Sequence, residues 1–258
     1  MERKLKTELC AYSVEACLTA ARLGIDRVEL CASPAEGGVT PSLATIERVA
    51  RIPNLDLSVM IRPRGGDFLY SDLEFETMLR DIECAREAGA TGVVFGVLTS
   101  DGKVDIERTR QLVLAAQDME TTFHRAIDMT EDYSAAVEAV IAAGCTRILT
   151  SGGYDKAVDG IENIAEAVRV AQITTPSGDR RIEIMAGSGV TSANALRLAN
   201  IGVDALHFSA KCTIPGGMKY RNPRISMGGS AAVDEFALRS VDEQEVNEIL
   251  KLITPKNN

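Results

Sequence analysis

Short apolar runs alternate with longer amphipathic stretches from one end of the chain to the other. The runs at 6–10, 27–31, 57–61, 92–97, 121–125, 147–151, 182–186 and 205–209 have strand length and are rich in β-branched and aliphatic residues. Between them, apolar residues recur at helical spacing, as in 13–23, 43–51, 73–88, 106–117 and 133–143. Three of these helices run into the same phrase: "ARLGIDRVEL", "AREAGATGVVF" and "IAAGCTRILT". In each, a glycine stands just past the helix, where a left-handed residue is needed, and a strand follows after a short connection. Eight strand–helix units, the last helix at 242–253, predict a single-domain α/β fold, the (β/α)8 barrel, over residues 1–258. The rival doubly wound sheet would carry a glycine-rich first turn, and "CAYS" stands there instead.

Side chains alternate along a strand, one set toward the helices and one toward the barrel axis. With Leu9, Val28 and Leu30 facing the helices, the inward set holds Glu8, Cys10, Glu29 and Cys31. The same alternation adds Met60 and Arg62, Thr122 and His124, Glu183 and Met185, and His207 and Ser209. Both histidines of the protein are therefore inward. Barrel interiors are normally filled by Val, Ile and Leu, and an unpaired buried charge costs several kcal/mol. Such residues at the C-terminal ends of strands point to chemistry, whereas Glu183, early in its strand, is equally at home in an ion pair. The phrase "ELCA" occurs at Glu8–Ala11 and again at Glu29–Ala32, so neighbouring strands send matching Glu–Cys pairs to one barrel mouth.

The loops at that mouth are distinctive. "IRPRGGDF" places Arg62 and Arg64 either side of a proline, a candidate clamp for a carboxylate or phosphate, although Arg62 is as well suited to neutralise Glu8 or Glu29. "FHRAIDM" brings His124 and Asp128 together. "TSGG" and "AGSGV" place Ser151, Gly152, Gly153, Gly187, Ser188 and Gly189 in turns whose free amides would hold an anion, with His207 and Ser209 beside them. The stretch 211–229, "KCTIPGGMKYRNPRISMGG", carries four cationic residues and no acidic one; it is expected as an extended loop over the mouth or in a subunit contact.

Composition narrows the partners. A net charge of −9 argues against a nucleic-acid binder. No apolar run reaches the ~20 residues that span a bilayer, and "MERKLKTELC" has no signal-peptide core, so a cytoplasmic protein without membrane partners is expected. Six cysteines without paired zinc-type spacing read as reduced thiols.

Together, "ELCAYS", "RVELCASPAEGGVTPS", "MIRPRGGDFLYSDLE", "GVVFGVLTSDGKVD", "TTFHRAIDM", "ILTSGG" and "MKYRNPRISMG" resemble the CutC family, over about residues 8–229. The resemblance implies a cytoplasmic (β/α)8 barrel assembling as a homodimer or higher homo-oligomer. It also implies a link to copper homeostasis, with Cu(I) held by the positions of Cys10 and Cys31.

Two readings of function follow. In the first, Cys10 and Cys31 bind Cu(I), since soft thiolates select it, although a free cysteine also packs well as a small apolar residue. In the second, the chain is an isomerase- or lyase-type enzyme for a small anionic substrate, a phosphorylated one among the candidates. Arg62, Arg64 and the glycine turns would then bind the anion, and Glu8, Glu29, His124 or Asp128 would move a proton. A polar interior is more than a metal carrier requires, which favours the second; the family resemblance favours the first.

Overall fold

The computed structural model describes residues 5–174, 181–222, 224–225, 234 and 236–254. Eight parallel strands close into a barrel in sequence order: β1 (Lys6–Ala11), β2 (Arg27–Leu30), β3 (Asp56–Met60), β4 (Gly92–Phe95), β5 (Glu120–Phe123), β6 (Arg147–Thr150), β7 (Glu183–Gly187) and β8 (Ala205–Phe208). The connecting helices are α1 (Val14–Leu23), α2 (Leu43–Val49), α3 (Asp72–Glu87), α4 (Ile106–Ala116), α5 (Tyr133–Ala143), α6 (Ile161–Thr174) and α7 (Ala195–Ala199), and α8 (Glu243–Ile253) follows near the C-terminus. The expected (β/α)8 barrel is what the chain forms. No helix among the described residues is long and apolar enough to cross a membrane.

Local sequence explains the helix starts. Ser13, the serine behind the first "ELCA", accepts a hydrogen bond from Ala16 N and caps α1. Ser71 and Glu74 form a reciprocal capping box on α3, and Asp105, Asp132 and Asp242 cap α4, α5 and α8. The helix-facing strand residues, such as Leu9, Val28, Leu57, Val93 and Ile148, are essentially inaccessible and form one continuous core with the helices.

The barrel interior is layered. Toward the N-terminal ends of the strands lies a charged plug. Arg147, 1% exposed, donates to Glu183 Oε2 at 2.9 Å and to Thr122 Oγ1 at 2.9 Å, with Glu120 at 3.5 Å. Arg27 pairs with Glu8. Burial works to raise the Glu183 carboxyl, but Arg147 and Lys6 outweigh it and leave it below its usual value. Glu183 is thus an ion-pair residue of the plug.

The segment 211–229 departs from the expected loop. Its beginning, β9 (Lys211–Pro215), pairs antiparallel with β10 (Ala237–Val241), so a hairpin arm leaves the barrel directly after β8. Residues 223 and 226–229 of that stretch lie outside the described residues.

Candidate functional site

The C-terminal ends of the strands open into a cavity of about 930 Å³. Cys10, Glu29, Met60, Leu149 and His207 form its deep wall, and the loops after β3, β5, β6, β7 and β8 form its rim. Cys10 pairs in register with Glu29, which places Cys31, one residue past β2, a step higher and diagonal to Cys10. A sulfur of Cys10, a sulfur of Cys31 and a carboxylate oxygen of Glu29 all lie within 4.8 Å of one another. Gly38 roofs Cys31: a Cβ there would stand 3.1 Å from the sulfur, so the close cover needs glycine. Met60 and Tyr12 pack on the same group.

A second cluster interlocks with the first. His207 Nδ1 lies 2.7 Å from Glu8 Oε1, and its Nε2 lies 3.7 Å from Glu29 Oε2. Burial disfavours a charged imidazole, but Glu29, Cys10 and Glu8 together hold the His207 pKa well above its ordinary value. Glu8 stays ionised because Arg27 and His207 overcome the cost of burial. The Cys10 thiol is pushed well below the usual range, first by a hydrogen bond from Cys31 and then by His207, against burial. Cys31 moves the other way, raised by its bond to Cys10 and by burial. Glu29 is raised by burial and by the negative Cys10. The arrangement therefore drives the Cys10 thiol toward thiolate and His207 toward imidazolium, and pushes the Glu29 carboxyl and the Cys31 thiol toward holding their protons. Glu29 Oε1 is buried without a hydrogen-bond partner among the described residues.

Several expected site residues have other work. Glu8 is fully buried beneath the cavity and does not line it. Arg62 lines the cavity, but its Nη1 donates to the carbonyls of Glu36 (2.8 Å) and Gly38 (3.0 Å) and its Nη2 to that of Gly66 (2.8 Å). It knits two loops together and stacks over Phe68, 5.0 Å from the ring centre, and no bond to Glu8 or Glu29 forms. Arg64 stays off the cavity wall, held by Glu74 at 2.6 Å and Asp67 at 3.1 Å. Arg64 is thus a loop fastener, and Arg62 fastens two loops while its Nε stays buried without a partner among the described residues.

The "TSGG" turn is likewise corrected. Its amides at Ser151 and Gly153 bond Asp128, whose carboxylate also accepts from the hydroxyls of Thr150 and Ser151 and from Arg125. The Gly152 amide bonds Thr150 Oγ1. The turn does hold an anion, but it is an internal one, and Asp128 has no lone pair left for moving a proton. Gly152 is required because the backbone of Gly160 crosses against it. Gly187 ends β7 below the cavity, where a Cβ would strike Leu149. Ser188, Gly189 and Ser209 do reach the cavity wall.

His124 starts a short 3₁₀ turn, and its Nδ1 accepts from Ala126 N at 3.1 Å. Burial and Arg62 lower its pKa to about 3, so it is neutral at ordinary pH with the proton on Nε2. Sequence reading passed over Arg27 and Arg147, although each stands two residues from an inward position on its own strand. It also passed over Tyr12 at the cavity and Lys156, whose chain lies on Gly189 of the cavity wall.

The molecule is thus a (β/α)8 barrel whose mouth combines a two-thiol cluster with a charged histidine. The CutC family model matches residues 5–212, and the chain belongs to the CutC family. A CutC family protein of Bacteroides thetaiotaomicron is 45% identical over 253 residues, covering 97% of this chain and 99% of that protein. One from Bacteroides fragilis is 43% identical over 249 residues, covering 96% of each. A solved structure described as the copper homeostasis protein CutC of Streptococcus agalactiae is 35% identical with a TM-score of 0.72, over 80% of this chain and 98% of that one.

Proposed function

We propose that this chain takes part in copper homeostasis by binding Cu(I) as cargo through Cys10 and Cys31. One observation carries the reading: the two sulfurs and a Glu29 oxygen lie within 4.8 Å of one another, with Cys10 and Glu29 on the deep wall of an open cavity. Cu(I) favours soft, low-coordinate sulfur sites, and the Met60 thioether packs against the same group. Glu29 Oε1, buried and unpartnered, supplies a further oxygen toward a cation. The depressed Cys10 thiol gives up its proton to a metal more readily than the raised Cys31 thiol does. The six cysteines are all free thiols, which suits the reducing cytoplasm where we place the protein. The hairpin arm exposes Ile214 and Leu238, and Met218 and Tyr220 beyond it are also exposed, a surface we assign to a second copy of this chain.

The test is an anaerobic Cu(I) titration against a competing chelator, comparing the intact protein with a Cys10→Ser/Cys31→Ser variant. Stoichiometric binding that the double substitution abolishes supports the proposal. Binding that ignores the two thiols overturns it. Light scattering of the intact protein tests the self-association.

A further inference from the structure

A metal ion occupies a small fraction of a 930 Å³ cavity, and the opposite rim is built differently from the thiol corner. There the chain runs through Ser188 (φ +79°) and Gly189 (φ +69°), two successive left-handed residues, and Ala210 (φ +38°) repeats the conformation after β8. Serine adopts this region only when held, and its hydroxyl donates to Asp155 O at 2.5 Å while its carbonyl accepts from Ala157 N at 3.0 Å. The amides of Ser188, Gly189, Val190, Ser209 and Ala210 have no acceptor among the described residues, and all five residues line the cavity. Successive unpartnered amides in such a turn form an anion-binding concavity.

The molecule supplies its own comparison. In the neighbouring turn after β6, the equivalent amides are filled by the Asp128 carboxylate. The turns after β7 and β8 receive no such internal group. Cations border them instead: the Lys156 chain lies on Gly189, where a Cβ would meet its Cγ at 3.0 Å, and Lys211 is on the cavity wall. Asp242 and Glu245, also on the wall, are engaged by the amides at the start of α8 and by Ser192. Asp155 is also on the wall and is exposed to solvent.

A second, independent observation comes from across the cavity. His124 is 4% exposed, its Nδ1 is taken by Ala126 N, and its Nε2 is buried with no partner among the described residues. A buried donor without an acceptor is rare unless something else supplies the acceptor. Phe68 beside it gives that corner an apolar face.

We propose that the cavity binds a small organic phosphate carrying a carbonyl or hydroxyl oxygen. The phosphoryl group sits on the amides of 188–190 and 209–210 beside Lys156 and Lys211, and the carbon-bound oxygen accepts from His124 Nε2. Three terminal oxygens match five amides better than the two of a carboxylate, and loops after the seventh and eighth strands are where barrels of this kind hold phosphate. This narrows the small anionic substrate of the enzymatic reading of the sequence, and it is independent of copper.

The test is calorimetric titration of the full-length, metal-free protein with dihydroxyacetone phosphate, unphosphorylated dihydroxyacetone and inorganic phosphate. Dihydroxyacetone phosphate is expected to bind saturably, its unphosphorylated counterpart not to bind, and inorganic phosphate to bind more weakly. Ser209→Asp places a carboxylate at the cradle and is expected to weaken binding at least about tenfold. Lys156→Met, on the surface, is expected to weaken it severalfold, and because the titrated protein is metal-free the outcome is separate from that of the copper proposal. No saturable binding by about 10 mM, or binding indifferent to Ser209→Asp and Lys156→Met, overturns the phosphate cradle. Equal affinity for inorganic phosphate and dihydroxyacetone phosphate overturns the role of His124.

Discussion

Glu8 Oε1 lies 2.7 Å from His207 Nδ1, and the same carboxylate takes Arg27 on its other oxygen. A buried anion thus has one partner in the structural plug and one in the cavity. His207 owes part of its charge to a residue that never meets the solvent. The other histidine, His124, sits across the same cavity without a carboxylate partner and is held neutral.

The two histidines should accordingly titrate on opposite sides of the ordinary value. Histidine carbon–proton NMR is expected to show His124 neutral down to about pH 3 and His207 still charged well above its ordinary pKa. Glu8→Gln should move the His207 transition downward and leave His124 in place. Two transitions near the ordinary value would contradict both environments.

His124 also makes stability depend on pH. Its folded pKa of about 3 lies below the roughly 6.5 of an unfolded chain, so only the unfolded state takes up this proton between those values. The contribution is complete above about pH 6.5 and is lost as pH falls toward 3, by at most about 1.4 kcal/mol per pH unit. Urea midpoints measured from pH 7 to 5 should fall less steeply for His124→Phe than for the intact protein.

Thiol reactivity should be sharply ranked. Cys10 is depressed by the Cys31 hydrogen bond and by His207, whereas burial pushes the Cys17 and Cys145 thiols up to about 12. Brief iodoacetamide treatment at pH 6.5, read by peptide mass spectrometry, is expected to label Cys10 first and leave Cys17 and Cys145 unmodified. Equal labelling of the three would remove the case for a thiolate at Cys10.

Arg147→Met should be severely destabilising, because it strands the buried Glu183 without its main partner. Breaking a buried pair in this way costs about 3–5 kcal/mol. Adding Glu183→Gln should recover part of that loss in the denaturation midpoint, as a shared interaction requires.

Asp128→Asn removes the charge that gathers the amides of Ser151 and Gly153. A loss of about 1–3 kcal/mol is expected, with faster hydrogen exchange confined to that turn. If exchange there is unchanged, Asp128 is not what fastens it.

The barrel was legible in the sequence because both of its signals are local. A period of two marks each strand, and a glycine marks the end of several helices. The inward set followed from the same alternation, which is why Glu29, Cys31, His124 and His207 fall where the pattern puts them. Arg27 and Arg147 obey it equally, but an arginine at the first residue of a strand reads as an exposed edge unless the partner strand's carboxylate is known. The fate of the glycine turns was not legible. Asp128 reaches "TSGG" from another loop, and only the approach of the two loops decides that its carboxylate fills that turn. Likewise Arg62 sits where a clamp belongs, but the carbonyls that occupy it come from residues brought near by folding.

The strand that carries Cys10 is the first made and the strand that carries His207 is the last, and they meet only at the closing seam between β1 and β8. A chain still emerging from the ribosome can bring Cys31 to Cys10 but not yet His207. The sulfur therefore gains its last increment of acidity only with the finished barrel, and a truncated or unclosed molecule keeps a less acidic, slower-reacting thiol.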